Sequence, residues 1–414
     1  MNQYNVWNKW GRLKSVMVGN HYTSDFFNDV KNSKIRSSLQ QIADETHEDL
    51  ENYKNVLKDF GCKVIQPELD PRDSIMNYID NNGAVKGKQG VPRSPLQPRD
   101  AQVVIGNTLY YTDIESKIES VEAAFNSYNS QDQVKWYSID NKDHKDLSNR
   151  HWSLDQWSTL SGSSWGSYDD YRNDVNYYDN LSNDIRKEVL EYHNKSVANF
   201  LIDAPSMTLV GRDLYVDSMD TTFRNFQIED LKNKIPNIRI NKLNHGGHSD
   251  GCFHTIKPGA ILSILEIQNY ENTFPNWDVC YLSERSWDNA RGFMRLKDAA
   301  GGKWWLPGEE NNDEFTNFVE TWLQDWVGYV EETVFDVNVL VLDEHHVCVS
   351  QLDNPVVNEF LKKHKMEPVH VPWRHRFFWD GGLHCITLDL EREGIQEDYF
   401  PDRGNQGLND PGFE

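Results

Sequence analysis

Pairs of short apolar runs, separated by turns of two or three residues, recur along this chain of 414 residues. Each pair predicts a β-hairpin. Four pairs lie at 103–111, 207–216, 255–262 and 339–349, and residues 16–20 form a fifth, less regular start. Because the unit is constant while its spacing varies, the pattern indicates an irregularly spaced internal repeat.

A helical stretch and then a short strand follow at least three of these units. Apolar residues from Leu39 to Leu57 recur at helical spacing, Gly61 ends the helix, and residues 62–67 read as a strand. The segments 227–240 and 356–371 repeat this order. Since one such unit cannot bury its own apolar face, five of them imply a closed radial arrangement. The predicted fold class is α/β, as a five-bladed pseudosymmetric α/β propeller of ββαβ units.

Two segments, at about 126–195 and about 268–332, depart from the repeat. Both are rich in tryptophan among polar residues. We interpret them as long insertions in a single catalytic domain that spans residues 1–414. Long ordered loops are often lids or interfaces, and the alternative is an aromatic collar that packs on the fold.

Composition narrows the class of protein. Hydrophobic residues make up 38% of the chain, enough for a large core, and no apolar run reaches the roughly 18 residues of a membrane span. Residues 1–20 lack the basic, apolar and small-residue regions of a signal peptide. We therefore expect a cytoplasmic protein with no membrane partner.

Acidic residues outnumber basic ones by 65 to 42, which gives a formal net charge of -23. This charge repels phosphate backbones, and no basic stripe with interleaved aromatics offsets it, so nucleic acid is not an expected partner. The same field favours a cationic substrate, such as a guanidinium or an amine. The alternative is that it serves only solubility.

Five cysteines without a Cys-x-x-Cys pair predict reduced thiols. A free cysteine is usually a small buried hydrophobe, but Cys385 follows Gly381 and Gly382, which permit close backbone approach to a ligand. The attacking species would be the thiolate, which needs a nearby cation to lower the pKa of the thiol. Cys385 is thus a candidate nucleophile provided that a partner lies beside it.

Candidate partners precede the other hairpins. Asp100, Asp203 and the pair formed by His248 and Asp250 each stand just ahead of a different one. In a closed propeller these positions converge on the axis, so we expect them to share a pocket with Cys385. His248 is suited to moving protons, and Asp250 to accepting hydrogen bonds from a cation. Taken singly, each carboxylate is as well explained as a cap of a helix or turn.

A metal site is the rival interpretation of the same segment. His248 and Asp250, with His370 or His384, would resemble the facial triad of two histidines and one carboxylate in non-haem iron enzymes. Such oxygenases are expected to use an all-β jelly roll, whereas this chain alternates hairpins with helices. The pattern therefore favours the thiol chemistry.

Several motifs, in this order and spacing, resemble the amidinotransferase family, which includes glycine and inosamine-phosphate amidinotransferases and is related to arginine deiminases. They are residues 8–19, Pro98-Arg-Asp100 with Ile105-Gly-Asn107, Ile202-Asp203-Ala with Gly211-Arg-Asp213, His248-Ser-Asp250, and Gly381-Gly-Leu-His-Cys385 with Asp389. The resemblance covers most of the chain outside the two insertions.

The resemblance implies a catalytic trio of Asp203, His248 and Cys385, with Asp100 and Asp250 holding the guanidinium. It also implies the pentein fold, no cofactor or metal, and, by analogy, a homodimer. The expected reaction moves an amidino group from a guanidino donor, such as L-arginine, to an amine through an amidino-cysteine.

Departures from the family pattern bear on the substrates. No arginine follows the fourth hairpin, at 262–270, where glycine amidinotransferases hold the substrate carboxylate, and 329–335 replaces a Ser-rich segment. We therefore expect the pocket that recognises donor and acceptor to be rebuilt, and we do not assume transfer from L-arginine to glycine. Two alternatives stay open: hydrolysis of the guanidino group, and binding of a guanidino or amino compound without turnover.

Overall fold

The computed structural model describes residues 2–79, 91–112, 119–135, 204–217, 225–243, 248–264, 269–282, 305–309, 311–323, 326–327, 336–379 and 381–408. Within these ranges the strands are β1 (Leu13–Val18), β2 (Lys63–Ile65), β3 (Gln102–Ile105), β4 (Thr108–Tyr111), β5 (Gln133–Lys135), β6 (Met207–Val210), β7 (Asp213–Asp217), β8 (Arg239–Leu243), β9 (Phe253–Lys257), β10 (Ala260–Ser263), β11 (Asp278–Tyr281), β12 (Leu340–Val341), β13 (His346–Val349), β14 (Glu367–His370) and β15 (Thr387–Arg392).

The helices of the same ranges are α1 (Ser33–Asp59), α2 (Glu119–Tyr128), α3 (Asn225–Lys234), α4 (Ser249–Cys252), α5 (Tyr270–Thr273), α6 (Asp313–Trp322), α7 (Pro355–Lys363) and α8 (Arg376–Trp379). Short 3-10 turns lie at Ser24–Phe27, Ile75–Asn77, Ala204–Ser206 and Pro401–Arg403. No helix in the described part of the chain has both the length and the apolar character needed to cross a membrane.

The strands of the described residues form five three-stranded sheets of one pattern. In each sheet two strands pair antiparallel, and a third, which follows a helix, joins parallel. In chain order the sheets are β15-β1-β2, β3-β4-β5, β6-β7-β8, β9-β10-β11 and β12-β13-β14. The predicted α/β class and the four predicted hairpins are confirmed.

The predicted helices have clear local causes. Asn32 begins α1, because its side chain accepts hydrogen bonds from the main-chain nitrogens of Lys34 and Ile35 at 3.0 and 3.3 Å. Gly61 follows the helix at a φ of +83°, a left-handed conformation that suits glycine. The apolar residues at helical spacing, Leu39 to Leu57, face the core. Each predicted succession of helix and strand is confirmed.

The first sheet corrects one prediction. Residues 16–20 do not start a hairpin, because β1 pairs with β15 from the other end of the chain, with Val16 opposite Asp389. An apolar run indicates a strand but does not reveal a partner so far away in sequence. Strands β1 and β15, which are far apart in sequence, therefore form the sheet next to Cys385.

The repeat continues into the first residues of both predicted insertions. The second sheet extends to Lys135, and the fourth extends to Tyr281. Farther along, α6 packs against α1, and Trp326 is buried with its ring stacked 5.8 Å from that of Trp379. The tryptophans between 136 and 165 lie outside the described residues.

Residues 394–408, which we name the C-terminal tail, cross the third sheet. Asp398 of the tail contacts Arg239 and lies 2.5 Å from Arg212, while Arg403 donates to Asp213 at 3.1 Å. Arg239 and Asp213 are both fully buried. Within the sheet these two residues pair with each other at 2.6 Å. The tail adds a second carboxylate to Arg239 and a second guanidinium to Asp213, and so extends the buried charge network.

Candidate active site

Cys385 lies in the turn that leads into β15, and only 3% of its surface is exposed. Two glycines shape this turn. A Cβ on Gly382 would lie 2.5 Å from the side-chain oxygen of Asn338. A Cβ on Gly381 would lie 3.0 Å from the Cβ of Cys385. The Gly-Gly pair is therefore required by close packing around the thiol.

Asn338, just ahead of β12, is the residue most closely tied to this turn. Its Nδ2 donates to Cys385 Sγ at 2.9 Å and to the main-chain oxygen of Asp250 at 3.3 Å. Its Oδ1 accepts from the main-chain nitrogens of His384 and Cys385 at 2.9 and 3.2 Å. One buried amide thus fixes both the thiol and its backbone.

Asp250 brings a carboxylate to the same place. Its Oδ2 lies 2.6 Å from His384 Nδ1 and accepts from Cys385 Sγ at 3.5 Å. Its Oδ1 is buried and has no hydrogen-bond partner among the described residues. A buried carboxylate oxygen is costly to leave unpaired, so it marks a position where a cationic N–H donor would be stabilised.

His384 connects Asp250 to the N-terminal segment. Its Nε2 lies 3.2 Å from the ammonium of Lys9, and the His254 ring packs edge-on at 4.7 Å. Burial first, and then Arg99 and Lys9, hold the pKa of His384 well below its usual value. Burial and the nearby Arg99 also lower the pKa of Lys9 to about 7.

Ahead of the second sheet, Arg99 ties the segment that carries Asp100 to the cysteine turn. Its Nε donates to the main-chain oxygens of His384 and Thr387, both at 3.0 Å. Its Nη2 lies 3.4 Å from Asp389 Oδ1, and the Asp389 carboxylate also accepts from Arg392 Nε at 2.8 Å. Burial alone would raise the pKa of Asp389, but Arg392 and Arg99 hold it well below its usual value.

The predicted site residues are thus brought together in part. Cys385 and Asp250 are in contact, and His248 begins the short helix α4 that carries Asp250. Asp100 lies on the same turn as Arg99, and its carboxylate is 3.1 Å from the guanidinium of Arg93. Asp203 lies outside the described residues.

Residues that follow Asp203 along the chain do contact the segment that carries His248 and Asp250. Ser249 Oγ, between His248 and Asp250, donates to the main-chain oxygen of Pro205 at 2.9 Å and accepts from Thr208 at 3.0 Å. The residues ahead of the third and fourth sheets are therefore joined beside the predicted acid/base.

Three of the other cysteines are poor nucleophile candidates. Burial raises the pKa of the Cys62 and Cys280 thiols to about 11, and it raises the pKa of Cys348 further. A protonated thiol is a weak nucleophile. Cys385 differs because a side-chain amide donates to its sulfur.

The metal interpretation gains no support from side-chain positions. Asp250 and His384 meet, but His370 is exposed on β14. Among the described residues, no group of three or more His, Cys, Asp or Glu side chains is arranged to hold a metal ion. The site instead pairs a thiol that accepts a hydrogen bond with an open carboxylate oxygen, which suits attack on a bound cation.

Sequence reasoning missed Asn338, Lys9 and Arg99. Asn338 could have been found by the rule that singled out the aspartates, because it too stands just ahead of a hairpin, as the one polar residue within 337–342. Lys9 and Arg99 lie inside motifs of the resemblance, yet nothing in the sequence distinguishes them from surface cations.

Comparison with known proteins finds a similar amidinotransferase. The chain is 22% identical over 370 residues to the L-arginine:L-lysine amidinotransferase of Pseudomonas savastanoi pv. phaseolicola, covering 87% of this chain and 82% of that protein. No family model matches the chain.

Two solved structures are similar over 96% of this chain and 99% of theirs, each with a TM-score of 0.56. One is an amidinotransferase of the saxitoxin biosynthetic pathway from Microseira wollei, 16% identical, and the other is the inosamine-phosphate amidinotransferase of Streptomyces griseus, 15% identical. At these identities the structures show a shared fold. The resemblance predicted from the motifs is confirmed at the level of similarity: over most of its length the chain is similar to amidinotransferases, which are transferase enzymes.

Proposed function

We propose that this chain is an amidinotransferase that moves an amidino group from a guanidino donor to an amine through a covalent intermediate on Cys385. One observation carries the proposal: the buried Cys385 thiol lies between the amide of Asn338, which donates to it, and the carboxylate of Asp250. The Oδ1 of that carboxylate has no partner among the described residues and can accept from a cationic donor. The similarity to amidinotransferases supports the same reaction.

In the first half-reaction, the carboxylates of Asp100 and Asp250 hold the planar guanidinium by charge-assisted hydrogen bonds. The Cys385 thiolate attacks the central carbon, forming a C–S bond. His248, oriented by Asp203, protonates the departing nitrogen as its C–N bond breaks. The products are a free amine and an amidino-cysteine.

In the second half-reaction, an acceptor amine enters and loses a proton to His248 as its nitrogen attacks the amidino carbon. The C–S bond breaks and the thiolate is restored. Because the first product leaves before the acceptor enters, we expect ping-pong kinetics.

The proposed binding of a guanidinium by Asp100 resembles a contact that this residue already makes within the chain. The Asp100 carboxylate already pairs with a guanidinium, that of Arg93, at 3.1 Å. Arg93 is exposed, and exposed ion pairs contribute little energy, so a substrate guanidinium could replace it at small cost.

We also propose that the five sheets close into a five-bladed propeller within one catalytic domain, residues 1–414. Contacts between neighbouring sheets support it. Asn338 bridges the fourth, fifth and first sheets, Arg99 joins the second to the first, and Ser249 joins the third to the fourth. The cytoplasmic location and the homodimer stay predictions from sequence.

L-arginine is the first donor to test and L-lysine the first acceptor, because the relative from Pseudomonas is named for that pair. The purified protein is incubated with L-arginine and other guanidino compounds, without acceptor, and analysed by intact-protein and peptide mass spectrometry. We expect a mass gain of one amidino group on Cys385. Subsequent addition of L-lysine or another amine should discharge it.

Matched variants sharpen this test. Cys385→Ser should abolish the adduct, whereas Cys62→Ser should keep it, because a serine hydroxyl can still donate to Leu13 O as the Cys62 thiol does at 3.1 Å. His248→Asn should bind donor but lose proton transfer. Release of citrulline or ammonia without an acceptor would establish hydrolysis, and no adduct with any donor, together with no product in the presence of amines, would establish binding without turnover.

A further inference from the structure

The mechanism above leaves one close contact unused, that of the Lys9 ammonium with His384. Lys9 lies between two buried residues, Asn8 and Trp10, in a turn that Asn8 Oδ1 closes by accepting from the main-chain nitrogens of Trp10 and Gly11 at 3.1 and 2.6 Å. A Cβ at Gly11 would lie 1.9 Å from the main-chain oxygen of Glu393. The backbone that presents Lys9 is therefore closely packed.

The chemistry of the two contacts fixes the proton on His384. Below its pKa of about 7, Lys9 is an ammonium, which can only donate, so His384 Nε2, 3.2 Å away, must then accept. A carboxylate can only accept, so His384 Nδ1 must donate to Asp250 Oδ2 at 2.6 Å. Both ends require the same neutral tautomer, with its proton on Nδ1.

This tautomer determines how Asp250 meets a ligand. Its Oδ2 is engaged by the imidazole and by the Cys385 thiol, which leaves Oδ1 as the oxygen without a partner among the described residues. If the proton moved to Nε2, His384 Nδ1 and Asp250 Oδ2 would both be acceptors 2.6 Å apart, and the carboxylate would turn away.

We propose that Lys9 is a positioning residue for donor binding, which acts through His384 to aim Asp250 Oδ1 at the guanidinium. The identity of the ligand, a guanidino donor, rests on the proposed function. The hydrogen-bond geometry of Lys9, His384 and Asp250 does not. Lys9 touches neither the thiol nor the substrate in this account. Its effect reaches the reaction through two hydrogen bonds in series.

The geometric part is tested on the unliganded protein labelled with 15N-histidine. Long-range 15N–1H correlation spectra report which ring nitrogen carries the proton, and the His384→Gln variant assigns the signal. We expect a neutral His384 protonated on Nδ1 in the wild type and a mixture of tautomers in Lys9→Met. A wild-type His384 protonated on Nε2 overturns the proposal, whether or not the protein transfers amidino groups.

The functional part compares the formation of amidino-Cys385 at increasing donor concentration. Loss of a residue that orients a metal-ligating side chain typically costs about 10- to 100-fold in metal affinity. By analogy, we expect Lys9→Met to raise the half-saturating donor concentration by about tenfold or more. The adduct rate at saturation should fall much less. Lys14→Met is the matched control, because Lys14 is an exposed lysine of the same segment, paired with Glu393.

An unchanged half-saturating concentration in folded Lys9→Met would overturn the proposal. Failure of the proposed function has a different signature, since the wild type itself would then form no adduct while the histidine spectra could still show the Nδ1 tautomer.

Discussion

At the scale of single residues, the amide of Asn338 shapes the thiol's environment, because its Nδ2 donates to Cys385 Sγ at 2.9 Å. Asn338→Asp keeps the oxygen that serves the main-chain nitrogens of His384 and Cys385, but it removes the donor to Cys385 Sγ and adds negative charge beside it. The thiolate becomes harder to form. We expect amidino-Cys385 formation to slow by about tenfold or more, the equivalent of about one pKa unit.

The rate is followed by quenched-flow mass spectrometry. Asn338→Ala is the companion variant, since it strands two buried N–H groups at about 1 to 3 kcal/mol each and lowers the free energy of unfolding without adding charge beside the sulfur. Adduct formation at the wild-type rate in Asn338→Asp would show that this amide does not tune the sulfur.

Lys9 makes stability depend on pH. Since burial lowers its pKa to about 7, the unfolded chain binds more protons at Lys9 than the folded protein does, from about pH 7 up to the ordinary lysine value. The free energy of unfolding therefore gains from this group as the pH rises through that window. Relative to Lys9→Met, the wild type should gain about 1 to 3 kcal/mol between about pH 6.5 and about pH 9, measured by urea unfolding.

Exposed Lys14 again supplies the control, and Lys14→Met should follow the wild type at both pH values. Parallel changes in the wild type and Lys9→Met would mean that Lys9 titrates as an ordinary lysine.

The two predicted site residues that lie in contact share a property. Cys385 and Asp250 stand in motifs whose spacing is local, Gly-Gly-x-His-Cys and His-x-Asp, and they prove to be in contact. Asn338 escaped because a single asparagine among valines carries no motif of its own. Its contacts are with a turn that is distant in sequence, so the available sequence signal was its place just ahead of a hairpin.

At the scale of elements, prediction succeeded wherever the signal was local. The α1 helix follows from its apolar spacing, its Asn32 cap and Gly61, all within one stretch of chain. The pairing of β1 with β15 failed as a prediction because a strand's partner is a tertiary choice. The same reason hid the continuation of the second and fourth sheets into the supposed insertions.

The C-terminal tail is expected to hold the third sheet together. Although burial opposes it, hydrogen bonds from Arg239 and Arg212 lower the pKa of Asp398, so the carboxylate is stabilised in its charged form. Asp398→Asn removes that charge from buried Arg239, and we expect the free energy of unfolding to fall by about 1 to 3 kcal/mol. Chemical denaturation at neutral pH measures it.

Asp402→Asn is the control within the same tail, because Asp402 is exposed and should be substituted without loss. If the two variants were equally stable, the tail would contribute nothing to the third sheet.

At the scale of the whole molecule, the net charge of -23 creates a long-range field that attracts cations. Salt screens such a field, with a Debye length near 30 Å at about 0.01 M and about 10 Å at about 0.1 M. We therefore expect the second-order rate constant for amidino-Cys385 formation by a cationic guanidino donor to fall several-fold between these ionic strengths. Stopped reactions analysed by mass spectrometry provide the rate.

Alkylation of Cys385 by neutral iodoacetamide is the control, and its rate should be nearly independent of salt. If both reagents showed the same salt dependence, the acidic surface would not attract the donor, and its role would be solubility alone.

The pairing of β1 with β15 has a consequence for synthesis on the ribosome. Four of the five described sheets are built from strands that are neighbours in sequence, so each can form as soon as its segment emerges. The sheet next to Cys385 cannot, because β1 pairs with β15, which is translated after the strands of all four other sheets. In a nascent chain β1 would thus stay without its antiparallel partner while the other four sheets form, and the sheet that borders the thiol would be the last of the five to be completed.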